Sequence, residues 1–328
     1  MLVIVEFWGY LRLKPVQNID ASSVLKRRSD VTVVAVTLGT EPHYVDVIRG
    51  WLRADPKAIV ITTIDAQLPR IKSLVQSIGD ARISVYSVKA PSNRRQYYQS
   101  ISAVETAFFV IADDRSRWGV STLDDILSPF QDPDVGGVTG MQVVRPRDSQ
   151  KVGLWESFGA LNLVRRNVQH SALAFFHNGQ VLNLSGRLSA FRTSIFKDAR
   201  FRDHFLNDVW LGHFQITTGD DNALTTWVIR NGWGTWFQNS PGVTIAAGVC
   251  PDRRYAKQLL RWLRDTTRSY LRDLAFAMKT HQEKLLLRGA LNLVVYFITD
   301  FSTLLELGFF VSLSFFSKLW GIEMLWPG

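Results

Sequence analysis

The sequence predicts an α/β fold built on a mostly parallel, doubly wound sheet. Three observations point there. Apolar, β-branched runs recur at Val31–Thr37, Ala58–Ile64 and Ile83–Val88. Segments with helical periodicity separate them, the pattern of successive β-α units. Acids close two of the runs, Asp65 after Ile64 and Asp113-Asp114 after Phe108-Phe109-Val110-Ile111-Ala112, and ligands bind at such carboxyl ends in open α/β sheets.

In chain order, Met1–Leu13 is apolar but shorter than the ~20 residues a spanning helix needs. No basic region precedes it and no obvious cleavage site follows, so it is not expected to be a signal peptide. It is either an interfacial helix or the remainder of a longer anchor. Residues 14–30, with Lys26-Arg27-Arg28, form a polar linker. Val31–Thr37 is a buried parallel strand, and 42–54 is a helix with Val45, Ile48, Trp51 and Leu52 on one side. The strand Ala58–Ile64, a helix over 67–79 and the strand Ile83–Val88 follow. Ser92–Ala107 is a helix entered through Pro91-Ser92-Asn93, and Ala107–Ala112 is the fourth strand. Beyond it the rhythm changes. Asp124–Phe130 is a short helix stopped by Pro133, Val135–Val144 a Gly-rich strand, 152–175 an amphipathic helix, and Val181–Phe191 a loop containing Ser185-Gly186. A helix over 221–231 stops at Asn231-Gly232, Thr235–Gln238 is a strand, and 255–280 is one long basic helix.

The 328 residues carry a net charge of +9 and one cysteine. A single Cys250 excludes an intramolecular disulfide, and no Cys/His spacing suits zinc. Without zinc-finger spacing or a basic low-complexity tail, no nucleic acid partner is expected. The basic balance is then read as affinity for an anionic membrane surface or a polyanionic substrate. Leu291–Leu319 is rich in Leu, Val, Phe and Ile and long enough to span a bilayer, although Asp300 and Glu306 interrupt it. Flanked by Lys279, Lys284 and Arg288, it is expected to be a C-terminal transmembrane segment rather than a buried soluble helix pair.

Several residues could carry chemistry, and each has a plainer alternative. Asp113-Asp114 could hold a divalent cation on a diphosphate, or cap the next helix. Asp220-Asp221 open a helix; adjacent carboxylates raise each other's pKa, so one could act as a base, or one is only the N-cap. Gln258 and Arg261 share a helix face, with Trp262 beside them, able to meet phosphate and sugar, or forming an interfacial basic helix with an aromatic anchor. Arg94 and Arg95, at a loop-to-helix junction, suit phosphate or base contact as well as a solvated face. Arg187 and Arg192, around Leu184-Ser185-Gly186, are equally ambiguous. Trp233 and Trp236 read as core or channel wall.

Taken in order, IVITTIDA, SNRRQ, FVIADDRSRWG, SPFQDPDVGGVTGMQ, VLNLSGRLSAFRTSIF, TGDDNALTTWVIRNGW and QLLRW resemble the processive-type family 2 glycosyltransferases, which include hyaluronan, cellulose and chitin synthases. The fungal polysaccharide-synthase-like branch is the nearest in appearance, over about Val31–Trp262. The resemblance implies a GT-A domain and a role for each matching position. Asp65 would contact the uracil end of a UDP-sugar donor. Arg94 and Arg95 would lie near its base and phosphates, and Asp113 and Asp114 would bind Mg2+ or Mn2+. Ser185-Gly186 would approach the terminal sugar of a glycan acceptor. Asp221 would be the general base with Asp220 beside it, while Gln258, Arg261 and Trp262 would hold diphosphate and acceptor. The family's metal motif is Asp-x-Asp; here Ala112-Asp113-Asp114-Arg115 lacks one carboxylate in either register.

The expected organisation is an N-terminal apolar segment and linker (1–30), a GT-A domain (31–250), a QxxRW box on an amphipathic interfacial helix (251–288) and a membrane segment (289–328). The expected activity is inverting transfer from a UDP-sugar to a glycan hydroxyl in polysaccharide synthesis, on the cytoplasmic face of a membrane whose lipid is a partner. The alternative is a catalytically impaired nucleotide-sugar-binding or partner protein on the same fold.

Overall fold

The central sheet has seven strands. In chain order they are β1 (Val31–Val36), β2 (Ala58–Ile64), β3 (Ile83–Val88), β4 (Phe108–Asp113), then β6 (Val135–Gly140), β8 (Leu188–Arg192) and β11 (Gly234–Gln238), arranged β11-β6-β8-β4-β1-β2-β3. These assignments come from a computed structural model, which describes residues 2–17, 28–39, 43–145, 152–281, 286 and 290. The chain divides into two units, Met1–Thr266 and Thr267–Gly328. The second contributes, among the described residues, the end of one long helix, α9 (Arg254–Thr280).

Strands β1 to β4 run parallel, as their apolar runs predict, with β1 between β2 and β4. Helices α2 (Tyr44–Arg53), α3 (Leu68–Ile78) and α4 (Asn93–Ser102) connect them. The α4 helix ends five residues before the predicted Ala107. Its N-cap is Ser92, whose Oγ accepts from Arg95 N.

Strand β8 is the element the sequence reading missed. Val181–Phe191 is expected to be a loop, yet Leu188–Arg192 is a central strand, antiparallel to both β4 and β6. Reversal matters for the site: Leu188 pairs with Ala112, so the start of β8 lies where β4 ends. The Gly-rich run predicted as one strand breaks at Met141. Its second part, β7 (Gln142–Val144), joins a small sheet with β5 (Ser116–Arg117) and β12 (Ile245–Ala247). Glycine suits β6 because there is no room for a side chain. A Cβ on Gly137 would lie 2.4 Å from Leu184, and one on Gly140 2.6 Å from the Val243 carbonyl.

Two apolar cores flank the sheet. Trp51, Ile48, Ile59, Ile61 and Val110 belong to one; Phe109, Phe191, Phe201, Phe205 and Trp227 belong to the other. Trp236 packs on the first and Trp233 on the second, as the core reading of both expects. The aromatic second core recruits a short helix, α7 (Arg200–Leu206), which is followed by a hairpin of β9 (Val209–Trp210) and β10 (Phe214–Gln215). Periodicity did not announce either, because each is too short to show one.

Met1–Leu13 contains a helix, α1 (Leu2–Arg12), lying on α6 (Leu154–Phe176), where the Trp8 ring meets Phe175 edge-on at 5.1 Å. The chain beyond it is tied down: Gln238 exchanges two hydrogen bonds with the Val16 backbone, and Asn239 donates to the Leu13 carbonyl. Among the described residues, no helix is long and apolar enough to cross a membrane. The expected transmembrane stretch, Leu291–Leu319, lies outside them.

Candidate active site

The parallel strands end along one edge of the sheet, and the edge collects the polar residues. Val36 pairs with Asp113 on one side and with Thr62 on the other, so Asp113 and, three residues past Thr62, Asp65 leave neighbouring strand ends. The Asp65 carboxylate accepts from Ser87 Oγ at 2.6 Å. Because β8 enters from this edge, Ser185, Gly186 and Arg187 arrive beside β4, and Asp113 N donates to the Arg187 carbonyl.

Asp113 and Asp114 share a hydrogen bond, and Thr37 Oγ1 donates to Asp114 at 2.8 Å. Arg115 Nε stands 3.9 Å from Asp113 and 3.6 Å from Asp114. Burial works to raise the Asp113 carboxyl, but Arg115, the bond from Asp114 and Arg187 hold it below the usual carboxylate range. Burial, and then the charge of Asp113, push Asp114 up to about 7.

The second acid pair opens α8 (Asp220–Arg230). Gly219 caps it in the left-handed conformation, φ 66°, which glycine adopts without cost. Burial raises Asp220 to about 6, with the charge of Asp221 second; Asn93 Nδ2 donates to it at 3.4 Å. Asp221 is raised too, by burial first, while backbone N–H groups of Asn222 and Gly186 donate to its carboxylate. The Gly186 loop touches this pair: a Cβ there would lie 3.6 Å from Asp221 Cβ and 3.7 Å from Asp220 Oδ2. One buried ring locates both pairs together. Burial raises the Tyr97 phenol first, and Asp220, Asp113, Asp221 and Asp114 all raise it further.

Helix α9 brings its box to the same place. The Arg187 guanidinium lies 5.6 Å from the centroid of Trp262, whose other neighbour is Tyr255, edge-on at 6.5 Å. One turn past Arg261, Asp265 accepts from Thr218 Oγ1 at 2.9 Å and helps raise Asp221. The helix that carries the box is thereby pinned to the loop that launches Asp220-Asp221.

A family model described as "Glycosyltransferase like family 2" matches residues 28–265, a span that contains every one of these residues. The chain belongs to this glycosyltransferase-like family 2. It is 33% identical over 247 residues to a "Type 2 glycosyltransferase" of Zymoseptoria tritici, covering 75% of this chain and 51% of that one. It is 29% identical over 250 residues to the "NDP-glycosyltransferase ltbB" of Aspergillus luteorubrus, covering 74% of this chain and 61% of that one. The chain thus spans little more than half the length of those relatives. Staphylococcus aureus TarS residues 1–349 superpose with a TM-score of 0.47 at 12% identity, over 74% of this chain and 65% of that one.

The fold brings Asp113, Asp114, Ser185, Gly186, Asp220, Asp221 and Trp262 into one connected site. Gln258 and Arg261 are half-buried on the turn of α9 that carries Trp262, and Arg95 is exposed on the first turn of α4. Arg94 is different. Expected near base and phosphates, it is buried, with Nη1 on Asp208 at 2.9 Å and on the Phe205 carbonyl. Its Nε and Nη2 donate to the carbonyls of Thr218 and Gly219. It braces the loop before Asp220 instead of facing substrate. Gln96 likewise donates to the Thr37 and Thr62 carbonyls, so SNRRQ is a bracket between strand ends and acid loop.

Three site residues were missed or left open by sequence reading. Arg187 was ambiguous because a strand-start arginine reads the same in solvent. Gln142, which links Ser185 and Arg187, lay inside the predicted Gly-rich strand without any pattern of its own. Asp265 had a signal: it lies four residues after Arg261, on the same helical face.

Asp113 and Asp114 fit a divalent cation in part. No group of three His, Cys, Asp or Glu side chains gathers at one point among the described residues. Two carboxylates nevertheless suffice for Mg2+ or Mn2+ when a substrate diphosphate and water complete the shell. The proton that Asp114 shares with Asp113 is the one a cation would displace.

Proposed function

We propose that this family 2 glycosyltransferase moves a sugar from a UDP-sugar to a hydroxyl of a glycan acceptor with inversion, in the synthesis of a polysaccharide. The observation that carries the reading is the position of Asp221. It is a half-buried carboxylate with a raised pKa, held by two backbone N–H groups and adjoining the Ser185-Gly186 loop. A raised pKa matches a general base to neutral pH.

Asp221 takes the proton of the acceptor hydroxyl while that oxygen attacks the anomeric carbon. The bond from that carbon to the diphosphate breaks, and UDP leaves with the electron pair. Asp220 keeps a second carboxyl beside the base, and Asp265 helps raise the base's proton affinity. Asp65 receives the uracil end at the neighbouring strand end, and Arg261 meets the diphosphate. Trp262 offers its ring to the acceptor, where apolar sugar faces stack on indole. Mg2+ or Mn2+, held by Asp113 and Asp114, supplies Lewis-acid neutralisation of the leaving diphosphate when bound. The reading also places the catalytic unit on the cytoplasmic face of a membrane, with the basic helix α9 against anionic lipid.

A specific observation favours a second reading. Arg115 stands within 3.9 Å of both metal-side carboxylates. If it displaced the cation outright, the protein would bind a nucleotide sugar without turnover. Metal-dependent release of UDP from a UDP-sugar, lost in Asp221→Asn, supports transfer. Tight UDP binding with no release from any UDP-sugar supports the second reading.

A further inference from the structure

Arg187 is a buried cation with almost nothing to bind inside the protein. Its exposure is 8%. A guanidinium has five N–H donors and keeps its charge. Among the described residues, the side chain makes one hydrogen bond, from Nη1 to the neutral Gln142 Oε1 at 3.2 Å. No carboxylate there lies within ion-pair distance, although Asp113 and Asp221 both favour its charge and Arg115 opposes it. Nε and Nη2 are not among the fully buried atoms left without a partner, so these donors reach solvent, open to an incoming anion.

The side chain is held as if to receive one. Gln142 Nε2 donates to Ser185 Oγ at 2.6 Å, and the same hydroxyl accepts from Arg187 N at 3.2 Å. The guanidinium lies over the Trp262 ring, 5.6 Å from its centroid. The guanidinium is therefore held in place, within electrostatic reach of both Asp113 and Asp221. The metal motif meanwhile has an arginine where a further carboxylate is expected, so fewer acids and more guanidinium face the same place.

We propose that Arg187 is a fixed cation for the donor's diphosphate, contacting the leaving phosphate whether or not a divalent cation is bound. This rests on the nucleotide-sugar reading above, and deepens it: part of the phosphate neutralisation belongs to the protein, as suits the planar arginine fork.

The test is calorimetric binding of UDP and of inorganic pyrophosphate to the full chain in EDTA, for wild type, Arg187→Met and Arg187→Gln. The Gln variant keeps a polar head should Met disturb folding. Wild type is expected to bind both anions without metal, and either folded variant to lose tenfold or more for both. Equal affinities in wild type and a folded variant overturn the proposal. So does a wild type that binds neither anion in EDTA, which leaves the donor reading to the metal-supplemented assay. Arg187-dependent binding of pyrophosphate without binding of UDP keeps the proposal and removes the UDP donor.

Discussion

Arg94 and Asp208 form an ion pair at 2.9 Å, with both side chains about 5% exposed or less. The same guanidinium holds the Thr218 and Gly219 carbonyls, so an interior charge pair fixes the loop that delivers Asp220-Asp221. Removing one partner strands the other charge. Arg94→Met should cost about 3–5 kcal/mol in a denaturant titration, and Arg94→Met/Asp208→Leu distinctly less. A single variant within about 0.5 kcal/mol of wild type would contradict the bracket role.

Gly219 occupies the left-handed region at the start of α8. Alanine there should cost about 1–2 kcal/mol and tilt the two acids. Steady-state kinetics should show a loss in kcat larger than any change in KM, because donor contacts lie elsewhere. An Ala variant with wild-type kcat would show that the loop need not hold this geometry.

Activity and stability should respond to pH in opposite senses. Burial and the charge of Asp221 raise Asp220 to about 6. The pair must be ionised for Asp221 to accept a proton, so activity should rise as pH climbs through about 6. Between the unfolded value near 4 and about 6, the folded protein binds more protons than the unfolded chain. Stability from this group is therefore full below about 4 and lost as pH rises, with a slope of at most ~1.4 kcal/mol per pH unit. Asp220→Asn should flatten that slope; an unchanged slope would assign it to other groups.

Asp114→Asn keeps the shape of the metal-side pair and removes one charge. Mn2+-stimulated turnover should fall by about 100-fold or more, equivalent to ~3 kcal/mol, with folding intact. Stimulation equal to wild type would place the cation elsewhere.

Much of the fold was legible because long runs carry their own period: β1 to β4 alternate with helices, and acids mark two strand ends. What escaped depends on partners far away in sequence. Leu188–Arg192 reads as loop until Ala112 and Phe191 sit beside their pairing strands, and α7 exists because the aromatic core needs Phe201 and Phe205. In the site, residue type and spacing left the acids and the QxxRW box open, and it was the family resemblance that singled them out. The bracing role of Arg94 was not readable, since its opposite charge, Asp208, lies 114 residues away. Nor could spacing show that Arg187 is buried while Arg95 is exposed.

The central claim is that Asp221 is the base of a UDP-sugar transfer. Its most direct measurement is UDP release by the purified full chain across a panel of UDP-sugars, with and without Mn2+, beside Asp221→Asn. The account predicts metal-dependent release from one sugar, abolished in a variant that still folds and binds UDP. Full release by folded Asp221→Asn would contradict it.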